Sequence, residues 1–344
     1  MANWGFLGAG SIAASSLAPA VHAAPGARLH AVAARDEARA AALAPHRTYA
    51  AYPDLLADPE VDIVYVALHN SAHRAWVEAA LAAGKHVLCE KPLGLTEAET
   101  ASMEQAARRA ERTLVEAAWN RWHPRTRDAE AAVAAATIGR PLHVTADFHG
   151  LAPAPDNYRR VPALGGGALY DVGYYALSAT LAAFSWQPPH VAHARWENWD
   201  AASADRSATA ELVFPCGGTA EVRCSLDGEL AEEFTVHGTE GALRLSAPAF
   251  TAGAAPCTLA STSEHPRRTV DVREYAPTDP YRLMVTDVDR ALSGGTGYLV
   301  PPEQSRLIAR VIDAVRAAAA GADGGTGREP AAHAARAGDR DLPR

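Results

Sequence analysis

Lysine is almost missing from this chain. Of 32 basic residues only two are lysine, Lys85 and Lys91, six positions apart; all the others are arginine. Arginine keeps its proton in any ordinary protein environment, whereas lysine can be tuned to release one. A chain that uses arginine nearly everywhere else therefore points to this short stretch as a place where lysine is needed. Cysteine is scarce too. Cys89, Cys216, Cys224 and Cys257 show no paired C-x-x-C spacing, which reads as reduced thiols of a cytoplasmic protein, not a disulfide framework or a zinc site. The histidines are scattered, and the close pair His190 and His193 lacks carboxylate or cysteine company, so no metal is expected. No apolar run approaches the ~18 residues of a membrane span, and no basic region precedes the strand-like sequence that begins by Trp4, so neither membrane nor secretory signal is expected. Positive charge is in deficit: the net charge of -8 argues against nucleic acid as a partner, since the densest basic spots are pairs such as Arg108-Arg109 and Arg159-Arg160.

What is present is a two-part pattern in 344 residues. Up to about residue 120, short apolar strands alternate with alanine-rich amphipathic helices, the pattern of a parallel α/β sheet. Strands are predicted at Trp4–Leu7, Leu29–Ala34, Val61–Leu68, His86–Cys89 and Arg112–Ala117, with helices near Ser11–Ala23, Asp36–Ala44, Ala72–Ala83 and Thr96–Arg109. Thr96 followed by Glu99 is a capping box. From residue 121 to about 320 alternating segments, Leu142–Phe148, Ala208–Phe214, Thr219–Cys224 and Glu233–His237, predict antiparallel strands with one covered face, interrupted by a helix at Ala168–Ala183 and closed by helices near Pro280–Leu292 and Pro302–Ala319. Residues 321–344, rich in Gly, Ala, Arg and Asp without periodicity, predict a disordered tail.

Gly8-Ala9-Gly10-Ser11-Ile12-Ala13 follows the first strand and opens the first helix. In G-x-G-x-x-A the first glycine permits the turn, the second lets backbone approach a pyrophosphate, and the small third residue allows close packing of helix on strand. Phosphate charge then meets free N–H groups and the positive end of the helix dipole. The second strand ends Val32-Ala33-Ala34-Arg35-Asp36. Small Ala34 and cationic Arg35 suit a ribose 2′-phosphate, so NADP is expected over NAD, with Asp36 starting the next helix.

The fifth strand ends Glu90-Lys91-Pro92, which places Lys91 outside the carboxyl end of a parallel strand, where ligands of such sheets sit. Lys85, before that strand, reads as ordinary surface. In the second half, Gly165-Gly166-Gly167 precedes Asp171 and Tyr175, four apart and so on one face if helical.

Together these three motifs, in this order, resemble the glucose-fructose oxidoreductase / inositol dehydrogenase family, Gfo/Idh/MocA, over roughly residues 3–320. The resemblance implies a Rossmann domain followed by an α+β domain built on a large, mostly antiparallel open-faced sheet, here residues 1–120 and 121–320. It implies hydride transfer between nicotinamide and a carbinol carbon, usually of a sugar or cyclic polyol. Lys91 matches the lysine that contacts the reacting oxygen, Tyr175 the acid/base partner and Asp171 the aspartate that orients that partner or the substrate. Around the cofactor it implies Gly8, Gly10, Ser11, Ile12, Arg35, Leu68, Asn70, Glu90 and Lys91, with His73 of Asn70-Ser71-Ala72-His73 flanking it. His69 stands where many members have proline.

Tyrosine in place of histidine narrows the resemblance to dihydrodiol dehydrogenases, glucose-fructose oxidoreductase, NADP-dependent xylose dehydrogenases and deoxysugar ketoreductases. Glu116-Ala117-Ala118-Trp119-Asn120-Arg121 resembles the dihydrodiol group's motif and implies Trp119 and Arg121 near substrate, with Phe148 lining the pocket and Tyr158 and Arg159 lying over it. The resemblance also implies a cis peptide at Lys91-Pro92 and a homodimer or homotetramer. An aldose, a trans-dihydrodiol or a nucleotide-linked keto-sugar all fit as substrate; a few family members are non-catalytic regulators instead. Beside the phenol, the Lys91 cation is expected to lower the pKa of Tyr175.

Overall fold

The computed structural model describes residues 2–263 and 269–323. The expected disordered tail falls mostly outside these residues, the last helix running on to Asp323.

The first half builds a six-stranded parallel sheet: β1 (Ala2–Leu7), β2 (Ala27–Ala33), β3 (Arg47–Tyr49), β4 (Ile63–Val66), β5 (His86–Cys89) and β6 (Leu114–Glu116), ordered β3-β2-β1-β4-β5-β6. The reversal of order between β1 and β4 opens the crevice that dinucleotide-binding sheets use. Between the strands run α1 (Ala18–Ala23), α2 (Glu37–Ala41), α3 (Tyr52–Ala57), α4 (His73–Ala82) and α5 (Glu97–Ala110). β4 is buried at all four positions because helices cover both faces of the sheet. β3 and α3 escaped the sequence pattern, since Arg47-Thr48-Tyr49 has no apolar alternation. Thr96 caps α5, accepting from the Glu99 amide at 3.1 Å, while the Glu99 carboxylate takes the Leu95 amide at 2.9 Å.

Lys85 corrects its expected place. Its side chain is buried, and Nζ donates to the carbonyls of Asp58 and Val61 at 2.7 and 2.8 Å, tying the turn before β5 to the turn before β4. A lysine can do this because three rotatable N–H donors sit on one small head. Near it, His30, Asp58 and Glu60 have the spacing of metal ligands, alone among the described residues. Arg47 lies 3.5 Å from Asp58 and 2.9 Å from Glu60, so a guanidinium already neutralises these acids.

The second half opens with α6 (Pro124–Ala134) and then lays down an eight-stranded sheet from β7 (Pro141–His149), β8 (His190–Asn198), β9 (Asp205–Val213), β10 (Thr219–Ser225), β11 (Ala231–Gly238), β12 (Gly241–Leu245), β13 (Cys257–Ser263) and β14 (Thr269–Tyr275), ordered β14-β13-β12-β11-β7-β10-β9-β8. It is antiparallel except where β7 meets β10. α7 (Tyr174–Ala183), between β7 and β8, covers one face, and α8 (Pro280–Leu292) and α9 (Pro302–Asp323) close the chain. α7 is buried on nearly every side, so it reads as apolar without a stripe. A continuous apolar core runs from Trp4 and Phe6 of β1 through α7 to Val315 of α9, and the Trp4 indole donates to Asp289 of α8 at 3.0 Å.

Candidate active site

Because the first sheet is parallel, the carboxyl ends of β1, β4, β5 and β6 face one way and deliver Gly8, Leu68, Glu90 and Trp119 to one cleft of about 650 Å³. β7 and α7 of the second half supply its other wall, with Phe148 and Tyr175.

At the cofactor end, Gly8 has φ +99°, and a Cβ there would lie 2.6 Å from the Ala67 carbonyl, so only glycine fits. Gly10 differs: a Cβ would come no nearer than 3.9 Å to that carbonyl. The protein does not fill the space over Gly10, which is the cradle a pyrophosphate requires. Ser11 and Ile12 line the same end. The helical run 11–23 that they open contains a π-helical stretch, Ala13–Leu17. Asp36 caps α2, accepting from the Arg39 amide at 3.1 Å, and exposed Arg35 and Arg39 both line the cleft beside Tyr52. The residues present fit an NAD(P) dinucleotide.

At the chemical end, Lys91 Nζ donates to the Asp171 carbonyl at 2.7 Å and to Asp171 Oδ1 at 3.1 Å, and lies 4.7 Å from the centre of the Tyr175 ring. Arg159 Nε donates to Asp171 Oδ2 at 2.6 Å. Burial alone would raise the Asp171 carboxyl; Lys91 and Arg159 outweigh it and hold the group down at about 2. Asp171 stands in a second π-helical stretch, Leu169–Gly173, which runs into α7 and presents Asp171 and Tyr175 to the same cleft. Trp119 Nε1 donates to the Tyr175 hydroxyl at 2.8 Å. Burial first, then Glu90 and Asp171, push the Tyr175 phenol well above its ordinary 10. The expectation that Lys91 lowers it is therefore corrected: the ammonium lies over the ring and its charge is met by Asp171. Glu90 is buried, accepts from Tyr65 at 2.6 Å and from the Lys91 amide at 3.3 Å, and so holds the lysine's backbone. The Lys91-Pro92 peptide is cis.

Asn70 keeps its expected place and gains a second role, whereas His73 and Arg121 lie elsewhere than expected. Asn70 lines the cleft, but its amide donates to the Gly165 carbonyl at 2.8 Å, tying the β4 loop to the glycine turn of the second half. His73 is wholly buried behind the cleft, its ring nitrogens 2.9 Å from the Pro92 carbonyl and 3.2 Å from that of Leu68, so it joins the two loops without reaching a ligand. Arg121 is also buried outside the cleft, donating to Gln304 at 2.7 Å and lying 4.6 Å from the Trp186 ring; it packs the second half and does not face substrate. Trp119, Phe148, Tyr158 and Arg159 do line the cleft. Sequence reasoning missed Arg39, Tyr52, Thr251 and Tyr281, which also line it. Tyr281 stacks on Trp119 at 4.7 Å, and nothing in the local sequence of α8 marks it.

Comparison with known proteins agrees. Residues 2–118 match the model described as "Oxidoreductase family, NAD-binding Rossmann fold", and residues 126–244 match the "GFO/IDH/MocA C-terminal domain". D-xylose 1-dehydrogenase (NADP(+)) 2 of Haloferax volcanii is 37% identical over 317 residues, 91% of this chain and 95% of that one. Trans-1,2-dihydrobenzene-1,2-diol dehydrogenase of Sus scrofa is 31% identical over 270 residues, 76% of this chain and 78% of that one. KijD10, a 3-ketoreductase from Actinomadura kijaniata solved with NADP and TDP-benzene, superposes with a TM-score of 0.84 at 25% identity, over 92% of this chain and 97% of that one. From its two sheets, its glycine turn and these relatives, the chain belongs to the Gfo/Idh/MocA family of NAD(P)-dependent oxidoreductases.

Proposed function

We propose that the protein is an NADP(H)-dependent oxidoreductase that acts between a carbinol and a carbonyl carbon of a sugar or related cyclic polyol, an aldose first, with Lys91 and Tyr175 handling the proton and Asp171 orienting Lys91. The observation that carries this reading is the convergence of Lys91, Asp171 and Tyr175 at the carboxyl end of β5, in one cleft with the Gly8–Ile12 turn. When bound, nicotinamide supplies or takes the hydride.

The chain's own groups account for the proton. An indole N–H can only donate, so the Tyr175 oxygen accepts from Trp119 and keeps its own proton for another partner. Buried and pushed upward, that phenol retains its proton at neutral pH, as a general acid must. In the reducing direction it gives the proton to the substrate oxygen, and the Trp119 N–H then supports the phenolate left behind. Lys91 has three N–H donors; Asp171 takes two, which leaves one for the same substrate oxygen. In the oxidising direction the phenol must first lose its proton, so oxidation is favoured by alkaline pH.

NADP preference is supported by the two cations Arg35 and Arg39 at the cleft, beside Asp36, one carboxylate oxygen of which caps α2. The name of the 37% identical relative supports both NADP and an aldose. A homodimer or homotetramer through the outer face of the eight-stranded sheet is part of the proposal, supported by exposed Val213, Val270 and Val272 there. Sedimentation at micromolar concentration tests it, with a monomer as the contrary result. Among the described residues no helix is long and apolar enough to cross a membrane, and we propose a cytoplasmic enzyme with a small-molecule substrate. The direct test of function is a panel of aldoses and cyclic polyols with NADP+ at alkaline pH, followed by absorbance of the reduced cofactor. Turnover of an aldose is expected; silence across the panel overturns the reading.

A further inference from the structure

The turn between β12 and β13, residues 246–252, is held with unusual firmness. Arg125, from the first turn of α6, is buried and donates through Nη1 to the Ser246 carbonyl at 2.8 Å and its hydroxyl at 3.2 Å, and through Nη2 to the carbonyls of Pro248 and Ala249 at 2.6 and 2.8 Å. Glu232 of β11, also buried, accepts the amides of Phe250 and Thr251 at 2.6 and 2.9 Å on one carboxylate oxygen, and the Thr251 hydroxyl on the other. Burying a cation and an anion is costly unless each is fully engaged. Here the carboxylate and both terminal nitrogens of the guanidinium are engaged with a single turn, while the buried Nε of Arg125 has no hydrogen-bond partner.

Ala249, Phe250 and Ala252 of that turn are buried in protein, and Thr251 is the residue it contributes to the cleft. Its position follows from the aromatic stack beside it: Phe250 stacks on Phe148 at 5.6 Å, and Phe148 touches Tyr175 at 5.6 Å. Thr251 thus directly follows the far ring of a stack in which Phe148 and then Phe250 lie beyond the phenol. A threonine hydroxyl has one donor and two lone pairs. Glu232 takes the donor, so toward the cleft Thr251 offers acceptance alone.

We infer that Thr251 is a specificity-determining residue that accepts a hydrogen bond from a substrate hydroxyl lying beyond the reacting carbon, with Glu232 and Arg125 as positioning residues that fix its polarity and place. A carbonyl, an ether oxygen or a deoxy carbon at that position has no proton to give. The site thereby favours a substrate with a further hydroxyl across the ring from the reacting one. This inference rests on the sugar or polyol reading of the same cleft.

The test uses the full chain with NADP+, an aldose that the wild type oxidises, and the set of its monodeoxy analogues. T251V keeps the shape and removes the acceptor; T251S keeps the acceptor. T251V is expected to lower kcat/KM for the parent aldose about 3- to 10-fold, to leave NADPH affinity unchanged, and to have no effect on one monodeoxy analogue while the others lose the same factor as the parent. T251S is expected to match the wild type on that pattern. Should T251V fail to fold, T251A is read against the same analogues. An equal loss on every analogue makes Thr251 a packing residue and overturns the inference, as does no loss on the parent. If the wild type turns over no aldose or polyol, the reading beneath falls and the inference with it; an active wild type with an indifferent T251V overturns the inference alone.

Discussion

Two lysines placed six residues apart do unrelated work. Lys91 lies in the cleft with one N–H donor left over by Asp171, and Lys85 is buried against two backbone carbonyls. K91R keeps the charge yet cannot release a proton. It is expected to bind NADPH normally while kcat falls about 10²- to 10⁴-fold; fluorescence titration and steady-state rates check the two halves, and near-wild-type kcat would remove Lys91 from the proton path. Y175F is expected to lose turnover over the same range, because the phenolic O–H that gives the proton, and that Trp119 would support as phenolate, is removed. K85M takes the donor from the buried Val61 carbonyl and leaves that of Asp58 only the Val61 amide at 3.3 Å, and it is expected to cost about 1–3 kcal/mol of stability, with kinetics unchanged, read by urea titration alongside the assay. Function and structure here divide by which end of β5 each lysine precedes or follows, and not by residue type.

Elements set the cofactor preference. Asp36 caps α2 through one carboxylate oxygen, and Arg35, just before that cap, and Arg39, within the helix, line the cleft on either side of it. R35A is expected to weaken NADPH selectively over NADH, and the double variant R35A/R39A more so, measured as the ratio of the two dissociation constants. Equal losses for both cofactors would show that these arginines do not hold the 2′-phosphate. The two π-helical stretches, Ala13–Leu17 and Leu169–Gly173, flank the cleft from opposite halves. The second carries Asp171 and Val172 into the cleft and the first directly follows cleft-lining Ser11 and Ile12, a placement common for such bulges.

The whole molecule joins two sheets across one core, and buried histidines make that junction sensitive to acid. Burial holds His73 down to about 4, below its ordinary 6.5, although two carbonyls face its ring. Burial, and then Arg125, hold His123 down to about 4 as well. Each is neutral when folded at pH values where the unfolded chain binds a proton. Stability is therefore complete above about pH 6.5 and is lost as pH falls from there to about 4, with His73 contributing on the order of 3 kcal/mol over that span. Urea unfolding at a series of pH values should show the slope, and H73Q should flatten it by close to one proton. An unchanged slope in H73Q would place the acid sensitivity elsewhere.

Much of this was legible in the chain alone. The Gly8–Ile12 turn, the Glu90-Lys91-Pro92 strand end, the alternation of strand and helix and the Asp171/Tyr175 spacing are local patterns, and each depends only on residues near in sequence that must share one turn or one face. The polar strands β8, β13 and β14 were not legible, because their pairing is set by neighbours distant in the chain and not by an apolar alternation of their own. The same cause misplaced Arg121, His73 and Lys85: a charged or polar side chain reads as ligand or surface until buried partners from other segments are known, here Gln304, Pro92 and Asp58. It also hid Thr251 and Tyr281, which carry no motif and reach the cleft only because the β12–β13 turn and α8, distant in the chain, are brought to it. Sequence by itself determined the family, the dinucleotide turn and which of the two lysines follows β5 into the cleft. Tertiary structure alone decided which distant side chains meet it, because burial and direction are properties of the assembled chain.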